Sequence, residues 1–84
     1  MQLNLEIITP ERVLFSGEID RVQLPGLNGL FEILKQHAPL ISALRKGTVK
    51  VTTSGGVQHF AIDDGFVECL HDQVVVLVGG GEEA

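Results

Sequence analysis

The feature that most restricts this chain is the shortness of its apolar segments and the regularity with which turn residues interrupt them. Leu3, Leu5 and Ile7 alternate with Gln2, Asn4 and Glu6, the period-two signature of a strand with one buried face. Pro10 and Glu11 end it, and residues 12–16 form a second short strand closed by Gly17. Residues 18–24 give a third, with Ile19 out of parity with Val22 and Leu24, a break that a bulge or a strand buried on both faces would explain. Pro25-Gly26 and Asn28-Gly29 mark turns before a strand over 30–34. Pro39 drives Ala38 out of the α region, so His37-Ala38-Pro39-Leu40 is extended or turned. Residues 40–46 are too few and uncapped for a helix, and irregular chain is expected there.

The second half is more regular. Val49 and Val51 alternate with Thr48, Lys50 and Thr52 in a strand over 48–53, and Ser54-Gly55-Gly56 turns it into another over 57–62. Asp63-Asp64-Gly65 leads into a strand over 66–70, and His71-Asp72 into one over 73–78. Strands recurring about every 8–12 residues predict an all-β fold. The form expected is a compact antiparallel sandwich or flattened barrel of about 8–10 short strands. One domain is expected over 1–78, followed by a flexible tail over 79–84 that has nothing to bury.

With 84 residues the chain has room for one small core. A domain of this size buries only about 60–65% of its unfolded surface, and partners often add to its stability. A net charge of −5 disfavours nucleic acid, which needs a basic footprint. The lone cysteine, Cys69, has no internal disulfide partner and fits a reducing compartment. The N-terminus has no signal-peptide pattern, and the longest apolar run, 74–78, is far too short to span a membrane. A cytoplasmic protein without membrane insertion is expected.

No catalytic constellation can be assembled. His37, His59 and His71 follow no ligand spacing, so no metal is expected. Asp63 and Asp64 would point to opposite faces of a strand and serve better as a turn. Gly79-Gly80-Gly81 and the 25–29 loop lack the lysine and the helix of a phosphate loop, so no cofactor is expected. Cys69 has no cationic neighbour, and Ser16 and Ser42 have no nucleophile-elbow context. What stands out is apolar content beside turns: Leu27, Leu30 and Phe31, then Leu40, Ile41 and Leu44. These residues either plug the open ends of the sandwich or form a partner site; plugging is favoured for Phe31 and Leu44.

The stretch 24–51 carries the order P-G-x-x-G-x-F-x-I-L-x-x-H-A-P-L-x-x-x-L-x-x-G-x-V, from Pro25 through His37-Ala38-Pro39-Leu40 to Val49. It closely resembles the epsilon subunit of the bacterial F-type ATP synthase (delta in mitochondria). Phe15-Ser16-Gly17, Gly65-Phe66-Val67-Glu68 and Val74-Val75-Val76-Leu77 extend the likeness over the whole chain. The resemblance implies a non-catalytic rotor-stalk sandwich that couples the ring of c subunits to gamma, held peripherally at the cytoplasmic face of the plasma membrane. Carried over by position, the ring contact would be Leu27, Asn28, Gly29, Leu30, Phe31 and Glu32. The gamma contact would be Thr9, His37, Ala38, Pro39, Leu40 and Ser42. Two departures stand out: Lys35-Gln36 replaces the family's usual Pro-Gly, and Glu32 stands where many members have glycine. Many members continue into a helical hairpin that inhibits ATP hydrolysis; a chain ending at Ala84 is expected to lack that inhibition. Two other readings compete. One is a small ligand-binding sandwich or barrel, with metal dependence through His37, His59 or Asp63 as one form of it, and the other an adaptor domain of a different complex with the same adhesive loops.

Overall fold

The computed structural model describes residues 2–84, and all regular structure in them is strand. The strands are β1 (Leu3–Ile8), β2 (Val13–Ile19), β3 (Arg21–Gly26), β4 (Gly29–Leu34) and β5 (Leu40–Leu44). They continue as β6 (Gly47–Thr53), β7 (Gly56–Ile62), β8 (Gly65–Leu70), β9 (Gln73–Val78) and β10 (Gly81–Glu83). Hydrogen bonding runs in the order β10-β7-β6-β3-β5-β8-β9-β1-β2, with β4 paired to β3 off this path.

β3 joins the two halves. One edge pairs along its whole length with β4, from Arg21 opposite Leu34 to Gly26 opposite Gly29. The other pairs at Arg21, Val22 and Gln23 with β6, then passes at Gly26 to Leu44 of β5. The two ends of the path also approach each other. The ring of Phe15 on β2 meets that of Phe60 on β7 edge-on, with centroids 5.9 Å apart, and Leu14 lies against Gly81 of β10. The all-β expectation therefore holds in its flattened-barrel form. One junction is parallel rather than antiparallel: β1 and β9 run the same way, with Leu5 opposite Val74 and Ile7 opposite Val76.

Alternation builds the core. Leu3, Leu5 and Ile7 of β1, Val49 and Val51 of β6, Val67 and Cys69 of β8, and Val74, Val76 and Val78 of β9 all point inward and are buried. Each such apolar side chain contributes about 1.5–3 kcal/mol against leaving it in water, most of it offset by chain entropy.

Three expectations need correction. The parity break near Ile19 is neither a bulge nor a doubly buried strand. β2 ends at Ile19, opposite Leu3, and after Asp20 the chain starts β3; the Asp20 N–H donates to Thr52 O at 2.8 Å. Ile19 and Val22 are thus both buried, from different strands. The 40–46 stretch contains a regular strand, β5, pairing along β8 from Leu40 opposite Cys69 to Leu44 opposite Gly65. Residues 79–84, expected to be a flexible tail, include β10, which pairs Gly81, Glu82 and Glu83 with Ile62, Ala61 and Phe60. An edge strand needs a backbone partner rather than an apolar side chain, and β7 offers a free edge. Ala84 N–H adds a bond to His59 O, and the Gln58 amide donates to Glu83 Oε2 at 3.0 Å.

Candidate docking surfaces

The proposed ring-contact residues form the β3–β4 hairpin. Gly26 pairs with Gly29, leaving Leu27 and Asn28 as the two tip residues. Leu27 is 60% exposed and Leu30 66%, so both present bare apolar surface. Gly29 takes φ +129°, a conformation closed to ordinary side chains. Phe31 points the other way and packs against the core, over Gly26, where any Cβ would come within 2.9 Å of its ring. Phe31 is therefore a plug, as is Leu44, which is buried. Glu32 is exposed, with Oε2 3.8 Å from Arg21 Nε.

The proposed gamma-contact residues divide. Thr9 is buried and shapes the β1–β2 turn: its hydroxyl donates to Arg12 O and accepts from the N–H groups of Glu11 and Arg12. Leu40 is half-buried against the core, and Ser42 is half-buried with its hydroxyl toward Ala43 O. His37 is half-buried, its Nδ1 2.7 Å from Ala38 O, while Ala38 and Pro39 are exposed. Only Ala38 and Pro39 of the six are thus openly presented to a partner.

Beside them lies a surface that sequence reasoning missed. On the outer face of β5, β8, β9 and β1, register sets Ala43 opposite Phe66, Phe66 opposite Leu77 and Leu77 opposite Ile8. Phe66 is 59% exposed, Leu77 53%, and Ile41 on the same face of β5 74%. Phe66 and Leu77, in register between Ala43 and Ile8, form an apolar row across four strands, with Ile41 beside it on β5. Adjoining apolar side chains of this kind mark a protein interface rather than scattered surface leucines. The signal was there: Phe66 and Leu70 occupy the solvent parity of a strand whose inward residues are Val67 and Cys69. A groove of about 370 Å³ lined by Leu27, Leu30, Phe31, Ser42 and Ala43 joins this patch to the hairpin tip.

The remaining chemistry is dispersed. His59 lies exposed on β7 and His71 in the β8–β9 turn, and among the described residues no three His, Cys, Asp or Glu side chains gather as a metal site. Asp63 and Asp64 are exposed, their loop tied down by Asp63 N–H to Gly80 O and Gly79 N–H to Asp64 O. The thiol of Cys69 faces the core; burial, and secondarily the charge of Asp72, raise its pKa.

The distinctive surface features of this β-fold are thus a bare hairpin tip and an apolar outer face, the features of a domain that docks on other chains. Residues 2–84 match the family described as ATP synthase, Delta/Epsilon chain, beta-sandwich domain. The chain is 45% identical over 80 residues to the ATP synthase epsilon chain of Desulforamulus reducens, covering 95% of this chain and 61% of that protein. It is 46% identical over 74 residues to the epsilon chain of Chlorobaculum tepidum, covering 87% and 84%. Its fold matches a chain in the Euglena gracilis mitochondrial ATP synthase OSCP/F1/c-ring structure, with TM-score 0.91 and 16% identity over 98% of this chain and 53% of that one. The chain belongs to the ATP synthase delta/epsilon family through this beta-sandwich domain, and spans about three-fifths of the first of these relatives.

Proposed function

We propose that this domain is a non-catalytic part of the central stalk of a proton- or sodium-translocating F-type ATP synthase. It transmits rotation of the c-ring to the gamma subunit, peripherally at the cytoplasmic face of the plasma membrane. The observation that carries this reading is the apolar row Ala43–Phe66–Leu77–Ile8, flanked by Ile41, on a body that also exposes Leu27 and Leu30 at one end. Passing torque requires two adhesive surfaces on an incompressible core, and close-packed interiors deform little. The face of Ile8, Ile41, Phe66 and Leu77, with Ala38 and Pro39 beside it, takes gamma. Leu27, Asn28, Gly29 and Leu30, with Glu32, take the ring. Thr9, Leu40 and Phe31 act by positioning these surfaces. His37 and Ser42 stand at the margin of the gamma face.

The sandwich by itself does not suppress ATP hydrolysis. The test is a complex assembled without this subunit and then supplied with residues 1–84. Recovery of ATP-driven ion pumping with hydrolysis nearly unchanged supports the reading. Hydrolysis suppressed severalfold, or pumping not restored, contradicts it.

A further inference from the structure

Cations gather at one place in this acidic chain. Arg45, Lys46 and Lys50 are three of its six Lys and Arg residues, set against 11 acidic ones. With His59 they line a groove of about 450 Å³ beside the β3–β4 hairpin. The geometry is built in. Arg45 N–H donates to Pro25 O at 2.9 Å, and Gly47 sits so close to Pro25 that a Cβ would lie 2.9 Å from its ring. Lys50 stands in register between Gln23 and His59 on the outer face. Among the described residues the one ion pair joins Arg21 to Glu32, so no carboxylate lies within ion-pair reach of Arg45, Lys46 or Lys50.

We infer that this groove receives an acidic segment of the partner that seats on the hairpin tip, and so reads carboxylates on the loops of the c-ring. The inference rests on the ring assignment above. Two observations favour a polypeptide over a phosphate group. Lys46 and Lys50 are four residues apart on nearly extended chain, about 13 Å, which suits a stretch of several residues better than one tetrahedral anion. The groove also shares Gly29 and Leu30 with the exposed tip, so one occupant meets apolar and cationic surface together. Charges arranged in this way fix register and speed encounter, and their effect weakens with salt.

The experiment measures binding of the chain to purified c-ring across a salt series, for wild type and for the double variant Arg45→Glu, Lys46→Glu. Both residues are exposed, so the melting curve should not move. Affinity at low salt should fall about tenfold or more, and the salt dependence should flatten. A compensating Glu→Lys or Asp→Lys change in the ring loop should restore binding. Undiminished binding by the double variant with an unchanged salt slope, while Leu27→Asp abolishes it, overturns this inference and leaves the ring assignment standing. No binding by wild type overturns both. Wild-type capture by phosphatidylglycerol vesicles or by pyrophosphate, lost in the double variant while ring binding persists, makes the groove a phosphate site and overturns it as well.

Discussion

The backbone N–H of Gln36 donates to Asp72 Oδ1 at 2.6 Å, tying the turn after β4 to the hairpin turn between β8 and β9. The same aspartate accepts a bond from Asn4 N–H at its carbonyl oxygen, 2.9 Å away. Asp72 thus holds together three parts of the chain remote in sequence. Asp72→Ala should cost about 1–2 kcal/mol, because it removes an acceptor and places alanine at φ +61°. Asp72→Asn keeps an acceptor and tolerates the left-handed region, so its loss should be smaller. Urea unfolding followed by circular dichroism separates the two; equal losses would count against the side-chain bond.

Gln36 itself sits at φ +66°. Glutamine stands there in place of the family's usual glycine, in a conformation that glycine adopts freely. Gln36→Gly should therefore stabilise the domain by about 0.5–1 kcal/mol, despite the greater freedom glycine gives the unfolded chain. A lower urea midpoint would contradict this.

Gly65 begins β8 where the chains are packed too closely for a side chain. A Cβ there would collide with Leu77 O and lie 2.8 Å from Val78 Cα. Gly65→Ala should cost about 3 kcal/mol or more, a large share of the total stability of a domain this size. Gly79→Ala has open space around it and should be nearly neutral. Comparing the two melting temperatures checks the claim.

The pKa of Cys69 is raised by burial and then by Asp72. A raised folded-state pKa means that the native thiol keeps its proton where the unfolded one has lost it. The corresponding stability is complete below the unfolded thiol pKa, about 8.5, and is lost as pH rises through the folded value. Unfolding free energy should fall above about pH 8.5 in wild type and fall less steeply in Cys69→Val. Identical slopes would show that another group is responsible.

Legibility followed contrast between the two faces of each strand. Strands β6 and β9 came out nearly to the residue, because Val49 and Val51 oppose threonine and lysine, and firm turn dipeptides bracket 73–78. β5 was hidden since Leu40, Ser42 and Leu44 face inward against Ile41 and Ala43, a period-two order with almost no polarity difference. β10 carries no apolar signal and is held mainly by its backbone pairing with β7, which no side-chain pattern announces. The hairpin tip was readable from Leu27 and Leu30 beside glycines. The outer face was legible only in part: Phe66 and Leu70 share one parity of β8, but β8 and β9 carry apolar residues in both parities, and the assignment of inside to outside needs the neighbouring strands. The burial of Thr9 was not legible either, because it comes from a hydroxyl bonded within its own turn rather than from an apolar pattern.

The most direct test of the rotor assignment is gamma binding by Phe66→Asp. Phe66 is exposed in the isolated domain and adjoins Ala43 and Leu77. Affinity for purified gamma should fall by about a hundredfold or more, as for a central interface residue. The circular dichroism spectrum and melting temperature of the free domain should stay within a few degrees of wild type. Undiminished gamma binding by a folded Phe66→Asp domain would contradict the account.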